Sequence, residues 1–340
     1  MLPRTMRAAR ALTPFAEGIG SPINPPSALT VKRGEAIFVH TDYPREWEGF
    51  IGQDMAKAQL QANIASAAQR GSRLDHILLA SGSHGIGKTT LAHLLADMAE
   101  RGIVETSGPL DPWKAMRMIQ GMQDGDILFV DEAHLLVQGG RTKADWLLPY
   151  MTEARFYTDQ GSVECPDVTI VAASTDAGKL PQTILSRFLL KPRLVAYDEA
   201  EAAEIVRSLA NRMSVTVEED DLPRIATAAS DNPRDMRSIL TALRDLQLSG
   251  TNDVTTALEW AGFSEDGLTR IAQEILVVLL AQNKYTASVD SIGSMLSEPG
   301  PLRHHETALL QRGYITITGK GRVLTATGVR RATELKGVLQ

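Results

Sequence analysis

Cysteine and long apolar runs are almost absent from this chain. Its 340 residues include one cysteine, Cys165, which excludes an internal disulfide and a cysteine-built metal site. A reducing, cytoplasmic setting fits this composition best. No apolar run reaches the roughly 18 residues that a membrane-spanning helix needs, and the nearest, at 275–281, is typical of a core helix. We therefore expect no membrane association.

An excess of positive charge is also lacking. With 35 Lys and Arg against 41 Asp and Glu, the net charge is −6, which argues against a uniformly basic nucleic-acid coat. Basic residues nevertheless outnumber acidic ones over 267–340, as expected for a locally basic C-terminal module. On counts alone, an ordinary solvated surface of mixed charge explains the same numbers.

What is present divides the chain into segments. The first 42 residues are rich in Pro, Ser and Gly and poor in periodic apolar pattern, which predicts a mobile N-terminal arm over 1–42. From residue 43, helical patterns alternate with short apolar runs at 75–80, 127–130 and 168–173. Runs of this kind are typical of buried parallel strands. The alternation predicts an α/β domain over 43–196, with its site at the carboxyl ends of the strands.

Helices dominate after Tyr197. Four of them, at Glu199–Met213, 222–229, 234–246 and Val254–Ala261, predict a helical module over 197–263. The last segment, 264–340, has helical patterns near 269–282, 289–296 and 302–311, then two short strands at 314–317 and 322–327 around a tight turn at 318–321. Three helices followed by a β-hairpin is the order of a winged-helix domain.

The stretch GSHGIGKT at 82–89 matches the phosphate-loop pattern G-x-x-x-x-G-K-[ST]. Its glycines let backbone N–H groups converge on phosphates, Lys88 would reach the β and γ oxygens, and Thr89 would ligate Mg²⁺ at a helix N-terminus. A plain glycine-rich turn is a weak alternative, because a strand precedes the stretch and a helix follows it. ATP and Mg²⁺ are therefore the expected cofactors.

An acidic pair, Asp131 and Glu132, ends the apolar strand that follows the loop. Asp131 would hold Mg²⁺ through its water shell, and Glu132 would polarise the attacking water. Three further groups could complete a hydrolysis site: Thr175 at the next strand end, Arg187 reaching a neighbouring subunit's γ-phosphate, and Arg234 at a helix start. Taken alone, each of these three is more simply a cap or a surface residue.

Five short motifs carry a family resemblance. They are FIGQ at 50–53, LDHILL at 74–79, GSHGIGKTTLA at 82–92, FVDEAH at 129–134 and ASTDAG at 173–178. In this order they resemble the AAA+ ATPases and, within them, the RuvB family. The resemblance implies an α/β AAA+ P-loop NTPase domain with a parallel sheet, then a helical lid domain and a winged-helix DNA-binding domain. It also implies a hexameric ring that threads duplex DNA.

The resemblance assigns roles residue by residue. In the ATP site, Phe50 and Ile51 would pack near adenine, and Tyr197 would lie near the nucleotide. Phosphate and Mg²⁺ binding falls to Gly82, Gly85, Ile86, Gly87, Lys88, Thr89 and Thr90. The catalytic set is Asp131 and Glu132 as Walker B, Thr175 as sensor 1, Arg187 as arginine finger and Arg234 as sensor 2. For DNA, Arg322 matches the wing arginine that contacts the backbone, and Lys320 and Arg312 are further candidates.

Two departures from the family pattern are clear. The family's loop begins G-P-P-G, whereas this chain reads GSHG at 82–85 with one extra residue, Ser81, before it. The segment 151–168 is several residues shorter and more polar than the apolar hairpin with which the family docks its junction-binding partner, RuvA. Its candidate anchors are Phe156, Tyr157 and Val163. Recognition of a RuvA-type partner is therefore in doubt.

The function implied is ATP-driven translocation on Holliday junctions or other branched DNA, in recombination and repair. Two alternatives stay open. One is a nucleotide-controlled loader or adaptor that places another protein on DNA. The other is a winged-helix regulator that reads bases and whose ATPase only sets assembly. Glu132, Thr175 and Arg187 favour hydrolysis over a mere switch.

Overall fold

The computed structural model describes residues 43–137, 144–296 and 303–337. The predicted arm over 1–42 lies outside these residues. Within them, no helix combines the length and the apolar character needed to cross a membrane.

The first segment is a three-layer α/β domain. Its elements, in chain order, are α1 (Asp54–Arg70), β1 (Ile77–Ser81), α2 (Lys88–Met98), β2 (Ile103–Ser107), α3 (Pro112–Gln120), β3 (Ile127–Asp131), α4 (Leu147–Glu153), β4 (Arg155–Thr158), β5 (Gly161–Glu164), β6 (Thr169–Ser174), α5 (Gln182–Leu185) and β7 (Arg193–Leu194). The central sheet has five parallel strands in the order β2-β3-β6-β1-β7.

The three predicted strands are confirmed as β1, β3 and β6, which form the middle of the sheet. Their side chains are almost all buried, so each strand reads as a continuous apolar run. The apolar-run criterion misses β2, because this edge strand alternates buried with exposed positions. Parallel pairing brings the ends of β1, β3 and β6 to one edge of the sheet, where the polar residues of the motifs follow.

His76, the histidine of the LDHILL motif, has a structural role. Its Nδ1 accepts a hydrogen bond from the N–H of Ile170 at 2.9 Å, and its Nε2 lies 3.2 Å from the carbonyl oxygen of Met151. Burial, together with the nearby charge of Arg73, lowers the pKa of His76 to about 3. The imidazole is therefore neutral and joins β1 to β6 and α4.

The segment that departs from the family forms a small antiparallel hairpin, β4 and β5. Phe156 is buried and stacks on Trp146, with ring centroids 5.3 Å apart. It is part of the domain core, so the expectation that it anchors a partner is wrong. Tyr157 is 63% exposed, and Val163 is half-buried against the core.

The four helices predicted for the helical module are confirmed, and every helix end lies within two residues of the predicted one. Its helices are α6 (Glu199–Met213), α7 (Asp221–Ala228), α8 (Pro233–Leu248) and α9 (Val254–Ala261). The N-termini of three of them are marked by side-chain caps, including a capping box between Asp198 and Glu201 and an Asn232 cap on α8. Because such caps are local sequence signals, the predicted starts of these helices were accurate to within one residue.

The last segment has the expected winged-helix order, with one helix more than predicted. It comprises α10 (Arg270–Leu280), β8 (Thr286–Ala287), α11 (Val289–Gly293), α12 (Arg303–Gln311), β9 (Ile315–Thr318), β10 (Gly321–Leu324) and α13 (Ala326–Lys336). The second wing strand was expected to run to residue 327. It ends at Leu324, because Thr325 caps α13 by accepting the N–H of Gly328. A Cβ at Gly328 would lie 1.9 Å from the carbonyl oxygen of Tyr314, so this close packing requires glycine.

Candidate nucleotide site

The GSHGIGKT loop joins β1 to α2 at the carboxyl edge of the sheet. Gly85 and Gly87 adopt positive φ angles of 73° and 99°, which side chains rarely tolerate. A Cβ on Gly85 would also lie 2.1 Å from Oδ1 of Asn232, at the start of α8. The lack of a side chain at Gly85 thus allows a lid helix to approach the loop directly.

Lys88 is buried at the start of α2. Its Nζ donates to Oγ of Ser81 at 2.8 Å and lies 3.1 Å from the carbonyl oxygen of Ser83. Burial lowers the pKa of Lys88, while the charges of Glu132 and Asp131 oppose that shift. Ser81, the residue extra to the family pattern, is therefore a direct hydrogen-bond partner of Lys88.

Asp131 and Glu132 lie at the end of β3, opposite the loop. Asp131 accepts the N–H of Glu132 through Oδ1 at 2.9 Å, and burial raises the pKa of Asp131. Glu132 has a φ of 49°, a left-handed conformation that is uncommon for residues other than glycine and clusters at functional sites. Thr175 at the end of β6 donates to Oε2 of Glu132 at 3.4 Å. The structure therefore brings the Walker B and sensor 1 candidates together.

A cavity of about 380 Å³ opens between this edge and the lid. Apolar side chains in its lining include Phe50, Ile51, and Ile205 and Leu209 of α6. Tyr197 also lines the cavity; its hydroxyl donates to the carbonyl oxygen of Ile86 at 2.9 Å, and burial raises the pKa of Tyr197 to about 12. Such a slot, apolar at one end and polar at the other, suits a nucleotide base and its phosphates.

The cavity's polar end carries charges of both signs. Besides Lys88, the lid supplies Arg234 and Arg237 from α8 to the lining. Of the predicted ATP-site residues, the lining includes Phe50, Ile51, Gly85, Gly87, Lys88, Thr89, Thr90, Asp131, Glu132, Tyr197 and Arg234. Gly82 and Ile86 belong to the same loop but are not among the lining residues, and Thr175 reaches the site through Glu132.

Arg187 lies apart from this cavity. It is exposed just after α5, and within the described part of the chain its guanidinium has no hydrogen bond or ion pair. It does not line the cavity of its own chain.

The three DNA-binding candidates occupy different environments. Lys320 is exposed in the turn between β9 and β10. Arg322 lies on β10 between β8 and β9, and its guanidinium pairs with Glu306 of α12. Arg312, after α12, donates to the carbonyl oxygen of Thr227 in α7 at 3.1 Å, which joins the winged helix to the lid. Only Lys320 projects freely from the wing.

Sequence patterns missed the residues that join loop and lid. His84 lines the cavity, and its Nδ1 lies 3.3 Å from Oε1 of Glu132. Nδ2 of Asn232 donates to the carbonyl oxygen of His84 at 3.3 Å. The signal for Asn232 was its position directly before Pro-Arg at a helix start, as expected of an N-cap. For His84 the only signal was its departure from the family's proline.

The sheet order, the phosphate loop, the acidic strand end and the lid define a P-loop nucleotide-binding domain of the AAA+ class. Residues 43–194 match the family model described as Holliday junction DNA helicase RuvB P-loop domain. The RuvB subunit of the Holliday junction branch migration complex from a Nitratiruptor species is 30% identical over 309 residues, which cover 86% of this chain and 91% of that one. Its counterpart from Campylobacter jejuni is 31% identical over 301 residues, or 83% and 89% of the two chains. The chain belongs to the RuvB family.

Solved structures give the same result. The Thermotoga maritima RuvB Holliday junction branch migration motor superposes with a TM-score of 0.71 at 27% identity, covering 85% of this chain and 97% of that one. A Lys-to-Arg variant of the same protein gives a TM-score of 0.73 over 86% and 98%. The likeness thus extends over the lid and most of the winged-helix segment as well as the nucleotide-binding domain.

Proposed function

We propose that this protein is an ATP-driven DNA translocase that migrates Holliday junctions or other branched DNA. The observation that carries the proposal is the placement of Glu132 and Thr175 beside the phosphate loop, in a chain of the RuvB family that ends in a winged helix. Relatives over more than four fifths of its length are named as subunits of a branch migration complex. No feature of the site favours a loader or a regulator. We also propose a cytoplasmic location, which the composition favours.

The donor set fits Mg²⁺. Thr89 and Asp131 line the same cavity, and hydroxyl and carboxylate oxygens are ligands that Mg²⁺ prefers. Among the described residues, no cluster of three or more His, Cys, Asp or Glu could hold a metal by itself, so nucleotide phosphates and water would supply the other ligands. Once bound, Mg²⁺ would neutralise charge on the phosphates during transfer.

A ring assembly completes the proposal. Arg187 is exposed and unpaired within the described residues, as an arginine that acts on a neighbouring subunit's nucleotide needs to be. An arginine supplied in this way accelerates phosphoryl transfer by about 10³–10⁵. The hexamer of the family is the expected ring. Whether a RuvA-type partner docks depends on the short β4–β5 hairpin, whose one exposed aromatic is Tyr157.

The test is ATP-dependent migration of a synthetic four-way junction by the purified protein, alone and with an added RuvA-type protein. We expect strand movement with ATP and none in the Lys88→Ala variant. ATPase activity that rises with DNA while no strand moves in either condition would reject the motor and favour the loader.

A further inference from the structure

Glu132 is bracketed by side chains from three loops. Its Oε1 lies 3.3 Å from Nδ1 of His84. Its Oε2 lies 3.2 Å from Nδ1 of His134 and 3.4 Å from Oγ1 of Thr175. Each carboxylate oxygen therefore faces a polar group of the protein. Of these three residues only His84 belongs to the phosphate loop, at a position of G-x-x-x-x-G-K-[ST] that accepts any residue.

The family's loop pattern offers no counterpart to the contact between His84 and Glu132. In the family's G-P-P-G loop the corresponding residue is proline, which has no polar side chain to offer a carboxylate. Relatives with proline there lack this contact, so the chemistry of hydrolysis does not depend on it. An additional contact on a catalytic carboxylate changes how freely the group turns, rather than whether it can act.

The backbone of His84 is fixed from the other side by the lid. Nδ2 of Asn232 donates to the carbonyl oxygen of His84 at 3.3 Å. Oδ1 of the same asparagine accepts the N–H of Arg234 at 3.0 Å and so caps α8. One residue of the loop therefore connects the lid, through its carbonyl, to Glu132, through its imidazole.

We propose that His84 is a positioning residue that restrains Glu132 while the lid contacts the loop. With one oxygen against His84 and the other against His134 and Thr175, the carboxylate has little freedom to turn toward a water molecule. Movement of α8 away from the loop removes the Asn232 contact, frees the His84 peptide and releases Glu132. This inference rests on the proposed role of Glu132 in ATP hydrolysis.

Steady-state ATP hydrolysis without DNA tests the restraint. We expect His84→Ala to raise kcat about three- to tenfold, the rate equivalent of one lost polar contact, and to leave KM unchanged. His84→Asn is the matched control, because its amide nitrogen occupies nearly the position of the imidazole Nδ1, and it should keep the wild-type kcat. Binding of a fluorescent ATP analogue should be the same in all three proteins.

The lid connection has its own variant. Asn232→Asp retains the oxygen that caps α8 but lacks the N–H that contacts His84. It should raise kcat as His84→Ala does, and the double variant should gain no more than either single one, because both remove the same restraint.

The outcomes separate this inference from the proposed function. Normal turnover in Glu132→Gln would overturn both, since Glu132 would then not polarise the water. Loss of turnover in Glu132→Gln with an unchanged or lowered kcat in His84→Ala overturns the restraint alone. The restraint is likewise overturned if kcat is raised in His84→Asn as much as in His84→Ala. Additive effects of His84→Ala and Asn232→Asp on kcat would also overturn it.

Discussion

Arg322 on β10 and Glu306 on α12 form a bidentate ion pair, with both N–O distances at 2.7 Å. Glu306 is only 4% exposed, so its carboxylate depends on the guanidinium for compensation. Arg322, which the sequence predicts to contact DNA, thus also joins the wing to α12.

Arg322→Ala should therefore destabilise the winged helix as well as weaken DNA binding. Removing one partner of a buried ion pair costs about 3–5 kcal/mol, because the other charge is left uncompensated. Urea unfolding of the full chain followed by circular dichroism would detect this loss. A variant that unfolds like the wild type but binds DNA poorly would show that the pair contributes little and that Arg322 acts mainly on DNA.

Lys320→Ala separates DNA contact from stability. Lys320 is exposed in the turn of the wing, where its side chain has no structural partner among the described residues. We expect unchanged unfolding and weaker duplex binding, with the dependence of log K on log salt reduced by about one unit for one lost phosphate contact. Fluorescence anisotropy over a salt series provides the measurement. An unaltered slope would remove Lys320 from the DNA interface.

The sequence predicted the middle strands, the helices after Tyr197 and many of the residues that line the cavity, because each of these is marked by a local pattern. Continuous burial marks β1, β3 and β6, caps mark the helix starts, and the loop motif fixes Lys88 and Thr89 by spacing. Contacts between distant segments had no such pattern. The Arg322–Glu306 pair, the docking of Asn232 on the loop, and the burial of Phe156 under Trp146 depend on tertiary packing. Predictions that treated those residues singly were accordingly incomplete.

The neutral His76 should make stability depend on pH. Its folded-state pKa of about 3 lies below the unfolded value of about 6.5, so the unfolded chain binds the proton first. Its contribution is complete above about pH 6.5 and falls by about 1.4 kcal/mol per pH unit as the pH drops from there to about 3, the folded-state pKa. In His76→Gln, which has no proton to gain, unfolding free energy should fall less between pH 7 and 5 than in the wild type. Parallel pH curves for the two proteins would contradict the assignment.

Lys88→Ala should abolish nucleotide binding, because it removes the buried cation at the phosphate end of the cavity. Titration with a fluorescent ATP analogue measures the loss, and Lys114→Ala, at an exposed position of α3, serves as the control with normal binding.

Glu132→Gln should bind ATP and fail to hydrolyse it. Tight binding with normal turnover in Glu132→Gln would exclude Glu132 as the group that polarises water.

Arg187 provides the sharpest test of the ring. Because its guanidinium is exposed and away from the cavity of its own chain, Arg187→Ala should retain ATP binding and lose turnover. Lys88→Ala subunits cannot bind nucleotide but still carry Arg187, so mixing the two inactive variants should restore part of the ATPase activity at mixed interfaces. Arg244 is a half-exposed lid residue paired with Asp245, and Arg244→Ala should hydrolyse ATP normally. If mixing restores nothing while the Arg244→Ala control stays active, Arg187 does not act on a neighbouring subunit.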